Sequence, residues 1–410
     1  MRANYLAGNR LTLFDSGAAY FPALLAAIEA AQSEIFLESY IYANDEIGLR
    51  ISSALCRAVA RGVVVNVIVD GFGARNFTAD FLPQLTAGGV RAMLYRPELG
   101  SFLGRFRPRR HRLRRLHRKL AVIDARLAFI GGINIIDDDN APPELRPRYD
   151  YAVQVEGPLL GPIHRTVRRM WEIVAWANFK HRYRLPPPAM PNPAPQGKQR
   201  AALLIRDNIR HRNDILHAYL EAIDEAREEI LIANAYFLPG VRFVRALEAA
   251  VQRGVRVTVL LQGKTDQHLL RFATQALYSL LLEQGIRIFE YEKSFLHAKV
   301  AVIDGKWATV GSSNIDPFSL LLAKEANLAA LDRAFAGQLR AGIKAAIKAG
   351  AREMRSEDLS GQPWHSRLRR WLCYGIVRIL VGITGYGQKH WRADEETAAV
   401  DPKSVIKRPQ

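Results

Sequence analysis

The sequence predicts an α/β fold: two similar halves, each a mixed, mostly parallel sheet flanked by helices, related by pseudo-twofold symmetry. Three observations lead there. Helix-then-strand patterns occur in the same order twice, a proline-rich stretch separates the two occurrences, and each ends in a segment of the same residue spacing. At 410 residues the chain exceeds what one ordinary core organises and suits two domains of roughly 150–200 residues.

In the first half "AAQSEIFLESYIY" (Ala30 to Tyr42) leads to "AVARGVVVNVIVDG" (Ala58 to Gly71). In the second, "EAREEILIANAYF" (Glu225 to Phe237) leads to "AVQRGVRVTVLLQG" (Ala250 to Gly263). Each pair reads as an amphipathic helix, a short apolar strand, a second helix closed by an Arg-Gly cap, and a buried β-branched strand. Strands separated by helices of this length imply βαβ units, which pair in parallel. Between the halves, residues 185–199 (LPPPAMPNPAPQGKQ) carry six prolines and read as an extended linker. The expected division is 1–184, the linker 185–199, 200–355, and a C-terminal segment 356–410.

Composition narrows the functions. Lys+Arg number 58 against 40 Asp+Glu, a formal charge of +18, so an anionic partner is expected: nucleic acid or an anionic bilayer surface. Cys56 and Cys373 stand far apart without CxxC or Cys/His spacing, which supports neither a disulfide framework nor a structural zinc site. The N-terminus has no apolar signal-peptide core, and no uncharged apolar run of 18 residues follows, so neither secretion nor a membrane span is expected.

The repeated segment carries the chemistry. "HRKLAVIDARLAFIGGIN" (His117 to Asn134) and "HAKVAVIDGKWATVGSSN" (His297 to Asn314) share His, Lys at +2, Asp at +7, Gly at +14 and Asn at +17. At about 1 in 20 per position, one such match in a chain of this length is roughly a 10⁻⁴ event, and two are not chance. On a strand, residues two apart share a face, so His117 stands beside Lys119 and His297 beside Lys299. An imidazole next to an ammonium suits a phosphate: Lys meets non-bridging oxygens while His attacks phosphorus or moves a proton. Asp124 and Asp304, past the apolar runs, are expected to tie down the turns "DAR" and "DGK" or neighbouring cations. Gly131, Gly132 and Gly311 are expected to let backbone approach a ligand, with Asn134 and Asn314 adding amide donors. The acidic run Asp137-Asp138-Asp139 lacks spaced partners and reads as a solvated loop, and no metal cage is apparent. Folded about a pseudo-twofold axis, the two histidines form one site, one a nucleophile and the other the acid for the leaving oxygen.

The paired HxKxxxxDxxxxxxGxxN segments resemble the HKD motifs of the phospholipase D superfamily, and Gly311-Ser312-Ser313-Asn314 matches its GSxN extension. Through "RLHRK", "DARLAFIGGIN", "DYAVQVEGP", "ANAYFLPG" and "WATVGSSNIDPFSL" the chain resembles the bacterial cardiolipin synthases of that superfamily. The resemblance implies a two-step phosphatidyl transfer through a phosphohistidine, without metal or other cofactor. It places His117, Lys119, Asp124, His297, Lys299 and Asp304 in the catalytic set, with His117 the nucleophile and His297 the general acid and base. Asn134, Ser312 and Asn314 would bind the substrate phosphate, a hydroxyl coming from one half only because Gly132 stands where the other half has Ser312. Glu325 in "LAKEANL" and Asp150 in "RYDYAV" would each orient a histidine. The implied substrate is phosphatidylglycerol as both donor and acceptor, at an anionic phospholipid membrane on the cytoplasmic face of the bacterial inner membrane, with no nucleic acid partner. Water as acceptor, or a donor such as phosphatidylethanolamine, is the alternative among enzymes; a non-catalytic binder of anionic lipid or nucleic acid is the alternative of another class.

Two further segments fit a membrane surface. Residues 100–119 place nine Lys/Arg from 105 onward behind Phe102, Leu103 and Phe106, and 364–391 combine an apolar centre with tryptophans and basic residues, as an interfacial helix does.

Overall fold

The computed structural model describes residues 3–97, 114–180, 183, 185, 194–207, 210–264, 268–316, 319, 323–360, 372–373 and 375–376. The expected basic docking segment lies outside these residues up to position 113, as does the proline-rich centre of the linker. The proposed interfacial helix also lies outside them, apart from four positions.

The first half runs β1 (Leu6–Phe14), α1 (Gly17–Ala30), β2 (Glu34–Ser39), α2 (Glu46–Ala60), β3 (Val64–Asp70), α3 (Phe77–Asp80), α4 (Leu82–Ala87) and β4 (Arg91–Tyr95). It continues through β5 (Leu120–Ile123), β6 (Leu127–Gly131), β7 (Arg148–Tyr149), β8 (Ala152–Glu156) and α5 (Leu160–Ala177). The second half repeats this plan. It has β9 (Gln199–Arg206), α6 (Asp214–Glu225), β10 (Glu229–Asn234), α7 (Val241–Gln252), β11 (Arg256–Gln262), α8 (His268–Gln275), α9 (Tyr278–Glu283) and β12 (Arg287–Tyr291). Then follow β13 (Phe295–Leu296), β14 (Lys299–Ile303), β15 (Trp307–Gly311), β16 (Glu325–Leu331), α10 (Arg333–Gly350), β17 (Ala351–Met354) and α11 (Ser356–Ser360).

Local chemistry sets the boundaries. Ser16, Asp45 and Asp332 cap α1, α2 and α10 by accepting from Ala19, Gly48 and Phe335 N–H groups. The Arg-Gly closures appear as expected: after α2 and α7, Gly62 and Gly254 take φ of +92° and +86°, which only glycine adopts without strain.

Fifteen strands form one sheet in the order β17-β12-β11-β10-β14-β15-β16-β9-β1-β8-β6-β5-β2-β3-β4. The order reads alike from the β9–β1 junction outward, apart from the extra edge strand β17, as pseudo-twofold halves require. The α/β class and mixed sheet match expectation, but the balance of directions does not. Within this sheet, among the described strands, β2–β3, β3–β4, β10–β11 and β11–β12 pair in parallel and the other neighbours run antiparallel, while β7 and β13 form a separate parallel pair. The helix crossovers do give parallel pairs, whereas the repeated motifs form hairpins, and a two- or three-residue turn allows only antiparallel pairing.

Helices cover both faces. α1 to α4 pack on one face of the first half around Ile35, Leu37, Val65 and Val67, and α6 to α9 do likewise in the second around Ile230, Ile232, Val257 and Val259. On the opposite face α5 and α10 share one core that includes Phe36, Leu120, Val122, Leu231, Val300 and Val302. Alternate residues of each central strand are thus buried on opposite sides, which is why these strands read as continuous apolar runs.

Candidate active site

The site lies where the C-terminal ends of β2, β3, β10 and β11 meet the starts of β5 and β14. The two halves hold each other there. Leu116 bridges Lys324, and the His117 N–H donates to the Lys324 carbonyl at 3.0 Å. Correspondingly, β13 pairs with β7, and the His297 N–H donates to the Tyr149 carbonyl at 2.8 Å. Below these bridges Asp70 accepts the Leu116 N–H at 2.8 Å, and Gln262, at the matching end of β11, accepts the Leu296 N–H at 2.6 Å.

The carboxylates cross over. His117 Nδ1 lies 3.0 Å from Glu325 and 3.1 Å from the Ser312 carbonyl; His297 Nδ1 lies 2.6 Å from Asp150. Each of these two carboxylates thus contacts the histidine of the other half. Because the partners of Nδ1 are acceptors, that nitrogen carries the proton and Nε2 presents a lone pair. The imidazoles keep 16% and 14% of their surface exposed, the opening through which a substrate reaches them.

Lys119 Nζ donates to the His117 carbonyl at 2.6 Å, and Lys299 Nζ donates to the His297 carbonyl. Lys299 Nζ also lies 3.9 Å from Asp150. Burial pushes Lys119 down to about 7, against the pull of Glu325, and Lys299 down to about 8, against Asp150. Burial also raises Asp150 to about 6, though Lys299 opposes this. Burial lowers both histidines; Glu325 counters it at His117, while Lys299 and Arg148 reinforce it at His297. Two imidazoles, two buried lysine amines and two acidic side chains thus converge in one cluster, the lysines placed to meet the oxygens of a phosphodiester.

Asn134 is buried with Oδ1 accepting the Ile41 N–H at 3.1 Å, so its amide hydrogens face other work; Asn314 is buried and its Oδ1 has no partner among the described residues. Ser312 differs from expectation. Its hydroxyl donates to Glu325 at 2.5 Å and accepts the Ala326 N–H at 3.0 Å, so it fixes the carboxylate rather than a phosphate. The glycines also serve the protein. A Cβ at Gly131 would fall 2.4 Å from the Tyr151 carbonyl, one at Gly132 would fall 2.3 Å from the Asp150 carboxylate, and one at Gly311 would fall 2.1 Å from Asn327.

Asp124 and Asp304 stand at the far ends of β5 and β14, five residues and roughly 16 Å from the lysines. Asp124 accepts the N–H groups of Gln32, Ser33 and Glu34 at 2.7–3.0 Å; Asp304 accepts those of Arg227, Glu228 and Glu229 at 2.8–3.0 Å. They lock the entries to β2 and β10, and their place in the catalytic set is corrected to this tying-down role. Of the acidic run, read from sequence as a solvated loop, Asp138 accepts the Ala18 N–H at the start of α1 at 2.9 Å, and no grouping of three or more metal-binding side chains occurs among the described residues.

Sequence reading missed Tyr40, whose ring meets His117 edge-on at 4.7 Å and lies 5.3 Å from Lys119 Nζ, and Phe295, whose ring stacks by His297 at 6.2 Å. It also missed Asp70 and Gln262, although both end matching strands before Gly71 and Gly263 and an aligned repeat would have flagged them.

A sheet duplicated about one axis, with two His-Lys pairs meeting at its centre, defines a phosphodiester-transfer protein of the phospholipase D class. The family described as "Cardiolipin synthase, PLD-like domain" matches residues 24–171 and 219–346. The chain is 37% identical over 404 residues to cardiolipin synthase B of Escherichia coli strain K12, covering 98% of this chain and 95% of that one. It is 33% identical over 355 residues to cardiolipin synthase A of Pseudomonas entomophila strain L48, covering 86% and 71%. The crystal structure of phosphatidylserine synthase from Haemophilus influenzae Rd KW20 superposes with a TM-score of 0.66 at 13% identity, over 93% of this chain and 97% of that one, which shows a shared fold. The chain belongs to the PLD-like cardiolipin synthase family.

Proposed function

We propose that this protein is a cardiolipin synthase that moves a phosphatidyl group from one phosphatidylglycerol to another. The observation that carries the reading is the crossed pair of His-carboxylate contacts, which equips one site with two imidazoles of the same tautomer. The donor phosphate enters between Lys119 and Lys299, its oxygens also meeting the amides of Asn134 and Asn314. His117 Nε2 attacks phosphorus; the P–O bond to glycerol breaks, and His297, which takes up a proton on Nε2 from water as the anionic phosphate binds beside it, passes that proton to the leaving oxygen. The hydroxyl of a second phosphatidylglycerol then gives its proton to His297 and bonds to phosphorus as the P–N bond breaks. Membership of the family and the curated relatives support the substrate; the charge of +18 supports peripheral attachment to an anionic membrane, which we place on the cytoplasmic face. The working division stays at residues 185–199.

Purified protein incubated with phosphatidylglycerol vesicles and chelator is expected to yield cardiolipin and glycerol by mass spectrometry. Phosphatidic acid alone would make it a hydrolase, and no phosphodiester turnover would end the enzymatic reading. His117→Ala and His297→Ala are each expected to abolish transfer, with a labelled phosphatidyl adduct trapped only when His117 is present. An adduct that persists in His117→Ala reverses the two roles.

A further inference from the structure

Synthesis makes a demand that hydrolysis does not, because the incoming alcohol is itself a phosphodiester. Its attacking hydroxyl lies three carbons from its own phosphate, so a second anion has to be held beside the first. In the proposed reaction His297 serves both alcohols, so the acceptor and its phosphate enter on the His297 side.

Arg148 stands on that side. The pairing of β7 with β13 sets it opposite Phe295, and its guanidinium lies 4.7 Å from the Phe295 ring centroid. That ring is nearly parallel to the His297 imidazole, at 18° and 6.2 Å. The acidic run supports Arg148 through its backbone rather than its carboxylates: the Arg148 N–H donates to the Asp138 carbonyl at 2.8 Å, and Nε donates to the Asn140 carbonyl at 3.0 Å. A guanidinium fixed through Nε and backed by an aromatic face is oriented as a fork, the geometry that receives phosphate oxygens in pairs.

Among the described residues, the other half has no copy of this arrangement. Asp150 and Glu325 occupy matching positions, so the counterpart of Arg148 is Ala323, and the counterpart of Phe295 is Arg115. Arg115 lies over Phe72 at 4.8 Å and within 3.8 Å of Asp70, a different setting beside His117. The site is therefore sided, as a reaction with unlike donor and acceptor positions requires.

We infer that Arg148, held over Phe295, binds the phosphate of the acceptor phosphatidylglycerol and steers its hydroxyl to His297. The inference rests on the transfer reading above. It makes Arg148 a determinant of whether the phosphohistidine is resolved by lipid or by water.

The test compares two acceptors on one intermediate, using full-length protein and phosphatidylglycerol vesicles. Cardiolipin formation needs a phosphate-bearing acceptor; exchange of labelled glycerol into phosphatidylglycerol uses one without phosphate. In Arg148→Ala the ratio of cardiolipin formation to glycerol exchange is expected to fall by about tenfold or more, with phosphatidic acid rising. Arg148→Lys, which keeps the charge without the fork, is expected to recover part of the ratio. A ratio unchanged in Arg148→Ala, or both reactions falling in parallel, overturns the inference, the latter by reducing Arg148 to a support for His297. Absence of cardiolipin with the unsubstituted protein instead overturns the transfer reading itself.

Discussion

Gly132 and Ser312 occupy matching places beside carboxylates of different length. Short Asp150 reaches His297 through the space that glycine leaves, while longer Glu325 is braced by the serine hydroxyl. The His-Lys pairs were legible because their spacing repeats, but the crossed partnerships were not, since they join residues 147 and 208 positions apart that only the fold brings together. The ionisations here set a pH window. Asp150 has to be ionised to hold the His297 Nδ1–H, which requires a pH above about 6; the lysines have to be protonated to meet phosphate, which fails as pH rises through about 7 and 8. The kcat/KM for glycerol release from phosphatidylglycerol vesicles is therefore expected to be bell-shaped, with its maximum between those limits. For kcat the basic limb should lie higher, because bound phosphate favours the ammonium forms. A rate still climbing at pH 9 would contradict this account.

At the scale of elements, the sequence showed where helices separate strands and so found the parallel pairs β2–β3 and β10–β11, while β4 and β12, which extend each pair, were not identified. It did not show how the remaining strands join, because short turns and sheet partners leave little mark on the apolar pattern. Comparing β2 with β10 exposes another hidden difference. Glu38 on β2 is buried and binds Arg118 through two hydrogen bonds of 2.8 and 2.9 Å; at the matching positions β10 has Ala233 and the second motif has Ala298. One fold thus carries both a buried ion pair and its apolar replacement. Removing one partner strands a charge, so Glu38→Ala is expected to cost about 3 kcal/mol in urea unfolding. The double variant Glu38→Ala/Arg118→Ala should be no less stable than Glu38→Ala alone, the second half being its template. Additive losses would show that the two side chains act independently.

Across the whole molecule, the prolines marked where the chain passes between halves but said nothing about a core common to both. That core joins Phe36, Leu120 and Val122 to Leu231, Val300 and Val302 beneath α5 and α10, and β1 pairs with β9 to make the sheet continuous. Halves that share buried surface unfold together. Calorimetry of the full chain is expected to give one endotherm whose van't Hoff and calorimetric enthalpies agree; two resolved transitions would mean that each half keeps a core of its own.

The exchange of carboxylates has a hereditary consequence. Splice the halves of two divergent relatives at the linker and every offspring protein inherits each imidazole from one parent and its proton anchor from the other. Such hybrids test both crossed contacts at once, and lineages carrying this architecture cannot remodel one half of the gene without answering to the other.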